Sequence, residues 1–164
     1  MNTRIVCSLV CVAAVFILSE HSLIAGSRKD VPNEVSLELG GKCLLYSFSY
    51  QRMLSEPFGL EIGVSMLGGG SSGGSSSILF FTGGGKAYFI QGNASPYLGG
   101  GVVVVTASTG SGPFNSNNTG TYGYISPGFE YRSEGGFLFR GSVYALIAGG
   151  GFFVWPGLSI GIAF

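Results

Sequence analysis

The sequence predicts an all-β protein, an up-and-down antiparallel transmembrane β-barrel of eight strands that follows an N-terminal signal peptide. Three observations lead there. The chain is hydrophobic, with mean hydropathy +0.45 and 10% charged residues, where soluble domains carry about 25%. After residue 27, no apolar run approaches the roughly 18 residues of a membrane helix. The last residues, Leu158 to Phe164, alternate large apolar with small or polar side chains. Strand side chains alternate between faces, so Leu158, Ile160, Ile162 and Phe164 share one face, and Ser159, Gly161 and Ala163 share the other. Lipid cannot satisfy an open sheet edge, so membrane-crossing strands must close on themselves.

The first 27 residues read as a secretory signal. Arg4 supplies the positive start, Ile5 to Leu18 is an uncharged apolar stretch, and Ala25, Gly26 and Ser27 offer small residues for cleavage near 25–27. The apolar stretch is shorter than the roughly 20 residues of a spanning helix; an uncleaved anchor is the alternative. Cleavage removes Cys7, Cys11 and His21, leaving Cys43 without a disulfide partner. Seven basic and seven acidic residues follow, a balance that points to no nucleic-acid or anionic partner.

Residues 28–34 are a polar lead-in containing Pro32, and the barrel occupies 35–164. Eight alternating segments are expected near 35–40, 43–53, 58–67, 76–90, 96–107, 121–132, 137–148 and 152–164. The first hairpin is ambiguous, because Gly40-Gly41-Lys42 reads either as a turn or as a bulge within one strand over 35–53. With the N-terminus on the periplasmic side, the outward loops include the Gly/Ser tract 68–75 and the Ser/Asn/Gly/Thr-rich stretch 108–120. The inward turns, Leu54 to Pro57, Gln91 to Ser95 and Ser133 to Gly136, are shorter, as such barrels require.

Register follows from the turn at 133–137. A three-residue loop Glu134-Gly135-Gly136 sets Ser133 against Phe137, Tyr131 against Phe139 and Glu130 against Arg140. The aromatic pair then faces lipid, and Glu130 and Arg140 form an ion pair in the lumen. A one-residue slip would place arginine in lipid, at about 2–4 kcal/mol near the midplane. By the same logic Tyr46, Phe48 and Tyr50 meet Leu60, Ile62 and Val64 outside, while Ser47, Ser49 and Glu61 point inward and Arg52 falls outside beside a turn. Pro127 and Pro156 lie inside expected strands and mark bulges or breaks. Tyr46, Tyr50, Tyr122, Tyr124, Tyr131, Phe152, Phe153 and Trp155 lie near strand ends and read as interfacial girdles.

Several motifs carry no chemistry on inspection. Gly68-Gly69-Gly70-Ser71-Ser72-Gly73 satisfies G-x-G-x-x-G, but no helix follows to hold a pyrophosphate. Gly84-Gly85-Lys86 lacks the Ser/Thr and the first glycine of a phosphate loop. Asn93-Ala94-Ser95 and Asn117-Asn118-Thr119 are formal glycosylation sequons, expected by chance in a Ser/Asn-rich chain. Without histidine no Ser-His-Asp arrangement can be built. Lumen-facing Glu38, Glu61 and Glu130 are read as neutralising Arg140 and its neighbours, not as acid–base pairs. Cys43 has no companion for a metal and reads as inert or as an exposed thiol near the first hairpin. No catalytic, cofactor or metal residues are assigned.

Leu39-Gly40-Gly41, Tyr46-Ser47, Tyr50, Arg52 and Phe58-Gly59-Leu60-Glu61-Ile62-Gly63-Val64 resemble the opening of small bacterial outer-membrane barrels. Gly135-Gly136-Phe137-Leu138-Phe139-Arg140 and Trp155-Pro156-Gly157 up to Phe164 resemble their close. The resemblance, to the OmpA/OmpX-like eight-stranded family, covers about 35–164. It implies the outer membrane of a Gram-negative-type bacterium, outer-membrane lipid as surroundings, and a terminal strand (Leu158, Ile160, Ile162, Phe164) that acts as the insertion signal for the barrel-assembly machinery. The glycine triplets 68–70, 83–85, 99–101 and 149–151 depart from it and predict irregular fourth and fifth strands.

The expected function is therefore a structural or surface-interaction role, not catalysis, with an extracellular ligand engaged through loops 68–75 and 108–120. The alternatives are a narrow pore, or a secreted soluble barrel that binds an apolar ligand in the manner of a lipocalin, with its apolar face turned inward.

Overall fold

The computed structural model describes residues 28, 30–71, 74–111 and 114–164. The expected leader, residues 1–27, lies outside them, as do residues 29, 72–73 and 112–113. Eight strands run in chain order: β1 Asn33–Gly40, β2 Tyr46–Ser55, β3 Phe58–Ser71, β4 Gly74–Tyr88, β5 Ala94–Ser111, β6 Phe114–Arg132, β7 Phe137–Ala148 and β8 Gly151–Ala163. Each pairs with its chain neighbours, and β1 pairs with β8 to close the barrel. The closing seam sets Leu39 against Leu158, Leu37 against Ile160 and Val35 against Ile162.

The polarity is inverted relative to a soluble domain. Glu34, Glu38, Lys42, Glu61, Lys86, Glu130, Arg132 and Arg140 are buried, while Phe48, Ile62, Phe81, Phe129, Val143, Ile160 and Ile162 stand exposed on the outer wall. A lumen lined with charge and an outside lined with hydrocarbon suits lipid and not water. An apolar ligand cup of the lipocalin type needs the opposite arrangement.

Ladder registers follow the side-chain pattern. Phe48 opposes Val64 and Tyr50 opposes Ile62, and Tyr131 opposes Phe139 beside the Glu130↔Arg140 pair. The Ser133 amide donates to Phe137 O at 2.7 Å, and Gly136 takes φ 82° to close that turn. Near the β2–β3 turn, a bulge between Met53 and Ser55 shifts the register.

Other expectations need correction. The first hairpin is a hairpin, but Gly41–Cys43 form a 3-10 turn whose residues are buried. The described residues of the tracts 68–75 and 108–120 are paired strand, not loose loop. β3 and β4 stay paired from Gly68↔Ser77 to Ser71↔Gly74, and β5 and β6 from Ser108↔Asn117 to Ser111↔Phe114. Composition misleads here because ladder hydrogen bonds use only the main chain, which glycine and serine supply as well as valine does.

The glycine triplets 83–85 and 99–101 do not disorder their strands, since Gly84↔Gly101 and Gly85↔Gly100 keep continuous register. At Pro127 the β6–β7 ladder is interrupted without a shift, because Ile125↔Ala145 and Gly128↔Ser142 on either side share one register. Pro156 makes no bulge at all. It opposes Val143 in β7 and lies one residue past the last β1–β8 pair, Gly40↔Gly157, where β1 has ended.

Candidate functional site

The lumen is built from alternate residues of every strand. β1 contributes Glu34 and Glu38, β3 Glu61, β4 Lys86 and Tyr88, β6 Glu130 and Arg132, and β7 Arg140. Near the end that holds the start of β1 and the end of β8, Arg140 Nη2 bridges Glu34 Oε1 at 2.7 Å and Glu130 Oε2 at 2.5 Å. Arg132 Nη2 reaches Glu34 Oε2 at 2.9 Å. From the lead-in, Arg28 Nε approaches Glu130 Oε1 at 3.3 Å while its guanidinium sits 4.7 Å from the centre of the Tyr88 ring.

A second cluster lies further along the lumen. Lys42 Nζ sits between Glu38 Oε2 at 3.0 Å and Glu61 Oε1 at 2.9 Å. Lys86 Nζ pairs with Glu61 and donates to Gln51 Oε1 at 2.9 Å. Tyr88 joins the clusters, donating to Glu130 Oε2 at 2.8 Å and accepting from Gln51 Nε2 at 2.9 Å. Every carboxylate of the two clusters faces a cation. Removing one partner of such a buried pair costs about 3–5 kcal/mol, although the intact pair adds little net stability.

Beyond the ions lies an apolar tier: Cys43, Phe80, Val103, Tyr124, Tyr144 and Leu146, with Leu67, Val105, Tyr122 and Trp155 packed on it. The girdle assignment is corrected here. Tyr122, Tyr124 and Trp155 turn inward, because the alternation that puts Glu130 in the lumen puts Tyr124 and Tyr122 there as well. Tyr131 and Phe152 remain on the outside. Cys43 is buried and free, so the exposed-thiol alternative does not hold.

Three lumen tyrosines rest on glycines. A Cβ at Gly128 would fall 2.5 Å from the Tyr97 ring, one at Gly157 2.8 Å from Tyr144 Cε2, and one at Gly101 2.9 Å from the Tyr124 hydroxyl. Of these three, Gly101 belongs to a triplet that the sequence marks as irregular; its role is to make room for a lumen tyrosine.

At the end opposite the start of β1 the wall is uneven. β2 begins at Tyr46 and its ladder to β3 starts at Phe48↔Val64, yet β3 runs on to Ser71. The β6–β7 ladder ends at Gly123↔Ile147, yet β6 starts at Phe114. The far parts of β3, β4, β5 and β6 therefore form a four-stranded sheet projecting past the rest of the wall. Its two edges, along β3 and along β6, have no ladder partner among the described residues.

Among the described residues no group of three or more His, Cys, Asp or Glu side chains is placed to hold a metal. A recess of about 1030 Å³ opens on the outer wall, lined by Val35, Phe48, Ile62, Phe81 and Ile160 among others; in a bilayer that face meets lipid chains. Glu130 and Arg140 are opposed and paired. Leu158, Ile160 and Ile162 lie outward on the seam with the Phe164 ring exposed beside them. Sequence reasoning left Glu34, Lys42, Lys86 and Arg132 unassigned. Their strand parity relative to Glu130, Arg140 and Glu61 marks Lys86 and Arg132 as inward, whereas nothing in the pattern places Lys42.

No protein-family description matches the chain, and no curated protein sequence does. Solved structures match in fold. The N-terminal β-barrel domain of OprF from Pseudomonas aeruginosa aligns with a TM-score of 0.56 at 16% identity, covering 80% of this chain and 95% of that one. Ail, the attachment invasion locus protein of Yersinia pestis, aligns with a TM-score of 0.50 at 12% identity, covering 80% and 92%. The same protein in complex with the heparin analogue sucrose octasulfate aligns with a TM-score of 0.52 at 11% identity. At these identities the likeness is one of fold: an eight-stranded outer-membrane-type barrel.

Proposed function

We propose that the protein is a small integral outer-membrane barrel of a Gram-negative-type bacterium that works through structure and surface contact, not catalysis. The observation that carries this is the inverted polarity of the wall, with paired charges inside and bare hydrocarbon outside. Short turns, the start of β1 and the end of β8 lie at one end, as at the periplasmic end of such barrels, and the longer hairpins lie at the other. The projecting β3–β6 sheet is the contact surface, since an unpartnered strand edge presents main-chain donors and acceptors to another chain. Attachment, the word in Ail's name, belongs to the same class of role.

Outer-membrane lipid covers the apolar wall, and the seam strand ending at Phe164 is the segment that the barrel-assembly machinery reads. The lumen carboxylates serve as counter-ions, since each is buried and held by cations.

Membrane fractionation tests the reading. The protein should stay in the outer membrane through an alkaline carbonate wash and should migrate anomalously in SDS gels before heating. Recovery as a soluble periplasmic or extracellular monomer contradicts it. Shortening the β3–β4 and β5–β6 hairpins to the rim should leave insertion intact and remove surface binding to whole host cells or matrix.

A further inference from the structure

The turn between β1 and β2 folds into the lumen instead of arching over it. Gly41, Lys42 and Cys43 are buried, with Cys43 in the apolar tier and Lys42 in the ionic one. The turn is anchored by side chains of other strands. Lys42 Nζ lies between Glu38 of β1 and Glu61 of β3, the Tyr122 hydroxyl of β6 donates to Lys42 O, and Trp155 Nε1 of β8 donates to Leu44 O at 2.9 Å. Gly41 is pressed against β8, where a Cβ on Gly157 would fall 2.9 Å from the Gly41 Cα.

The fit is strained. Gly40, Gly41 and Leu44 have φ of 73°, 68° and 72°, and Leu44 is the only non-glycine residue with positive φ among the described residues. A γ-branched side chain there is held against its own preference by the anchors around it. The way out is clear. Beyond Gly157 β8 has no ladder partner in β1, and beyond Val64 β3 has none in β2. The turn can leave without breaking a strand pair.

We propose that Gly41–Leu45, hinged at the ladder-paired Gly40, is a strap that closes the outer mouth of the lumen, with Lys42 as its latch, and that it swings out as a unit. Opening strips Glu38 of its lysine and leaves Glu61 with Lys86 alone, so the uncovered vestibule is net negative and suits a cation, above all a primary ammonium like the one it releases. This goes beyond the surface-contact role, which needs no moving part.

Cys43 is a built-in reporter. The full-length mature protein, folded in phosphatidylcholine vesicles, is treated with a membrane-impermeant cationic methanethiosulfonate. Wild type should react slowly, and Lys42→Met at least about tenfold faster. Loss of the Lys42 cation by itself raises the thiol pKa and slows thiolate chemistry, but it also draws the cationic reagent inward, so access is read from the two variants that leave the charge unchanged. Trp155→Phe should also react faster. Leu44→Gly, which relieves the left-handed strain in the closed form, should react more slowly than wild type. Folding is checked by heat-modifiable migration. If Lys42→Met does not fold, the opposed directions of Trp155→Phe and Leu44→Gly decide. Equal rates in all folded variants, or one direction for both of those two, overturn the strap. Failure of outer-membrane fractionation would overturn the barrel reading instead, which makes the two outcomes distinct.

Discussion

Tyr97 of β5 lies against Gly128 of β6, directly opposite in the ladder, so closely that a Cβ on residue 128 would fall 2.5 Å from the ring and 2.8 Å from Gly141 O. The Tyr97 hydroxyl then reaches Ser142 Oγ at 2.5 Å, and the Arg140 guanidinium sits 5.6 Å from the ring centre. One glycine thus lets one tyrosine fill the lumen beside the central ion pair.

Gly128→Ala should therefore destabilise the barrel by about 1–3 kcal/mol, the range for overpacking a filled interior. Gly83→Ala is the control. It lies mid-strand in β4 but on the outer face, opposite the exposed Ile62, and a Cβ there meets nothing within 4 Å, so its effect should stay within about 0.5 kcal/mol. Urea titration of the folded and unfolded gel bands in vesicles measures both.

Glu130→Gln leaves Arg140 short of one carboxylate and Arg28 without its ion-pair partner, and should cost about 3–5 kcal/mol. Adding Arg140→Met should restore part of that loss, because the stranded charge goes with its counter-ion. A double-mutant cycle on unfolding free energies reads the coupling. Simple additivity of the two single changes would contradict the network.

Faces are tested on β7. Val143 is exposed on the outer wall, so Val143→Arg should cost about 2–4 kcal/mol in a bilayer and impair assembly. Ser49 is buried, and its hydroxyl has no protein hydrogen-bond partner, so Ser49→Ala should change stability by less than about 0.5 kcal/mol. Ser142→Arg should be damaging too, although residue 142 faces the lumen. Ser142 is buried against the Tyr97 hydroxyl, and no room remains for a longer side chain.

Phe164 separates assembly from stability. Its main chain pairs with Asn33, donating to Asn33 O at 2.8 Å and accepting from Asn33 N at 3.1 Å, while its ring is 57% exposed on the outer wall. Phe164→Ala keeps the main-chain bonds. It should leave unfolding free energy within about 0.5 kcal/mol while slowing insertion by the cellular machinery severalfold, as pulse-chase of the folded band reports. A loss of stability equal to the loss of insertion would remove the signal reading.

The turn between β1 and β2 carries a pH signature. Burial, more than any neighbouring charge, pushes the Cys43 thiol up from 9.0 to about 11. A raised thiol pKa in the folded state means that the unfolded chain ionises first. The stabilising contribution is complete below pH 9 and is lost as pH rises toward 11. Unfolding curves at pH 8 and 10.5 should show a larger drop in wild type than in Cys43→Ser.

Much of this was legible because a barrel wall obeys a period of two. Once Glu130 faces Arg140, the faces of β6 and β7 follow, and Tyr131 with Phe139 goes to lipid. The inward turn of Tyr122 and Tyr124 was contained in the same parity, but aromatic residues near strand ends suggest a girdle and distract from it. Gly68 to Ser75 and Ser108 to Gly120 misled for another reason: composition reports side chains, and the hairpins there are held by main-chain bonds.

By itself, the sequence determined the two faces of the strands, the Glu130–Arg140 opposition and the apolar outer face of the last strand, Leu158 to Phe164, because each depends on alternation along one strand or across one short turn; it left 35–53 open between one strand and a hairpin. Only the tertiary structure decided what crosses the lumen. Glu34 meets Arg132 and Arg140 from the far side of the closure, tyrosines settle onto glycines of adjacent strands, and Lys42 dives from a turn to a carboxylate on β1 and another on β3. Those partners are brought together by curvature and closure of the sheet, and no local period in the chain encodes them.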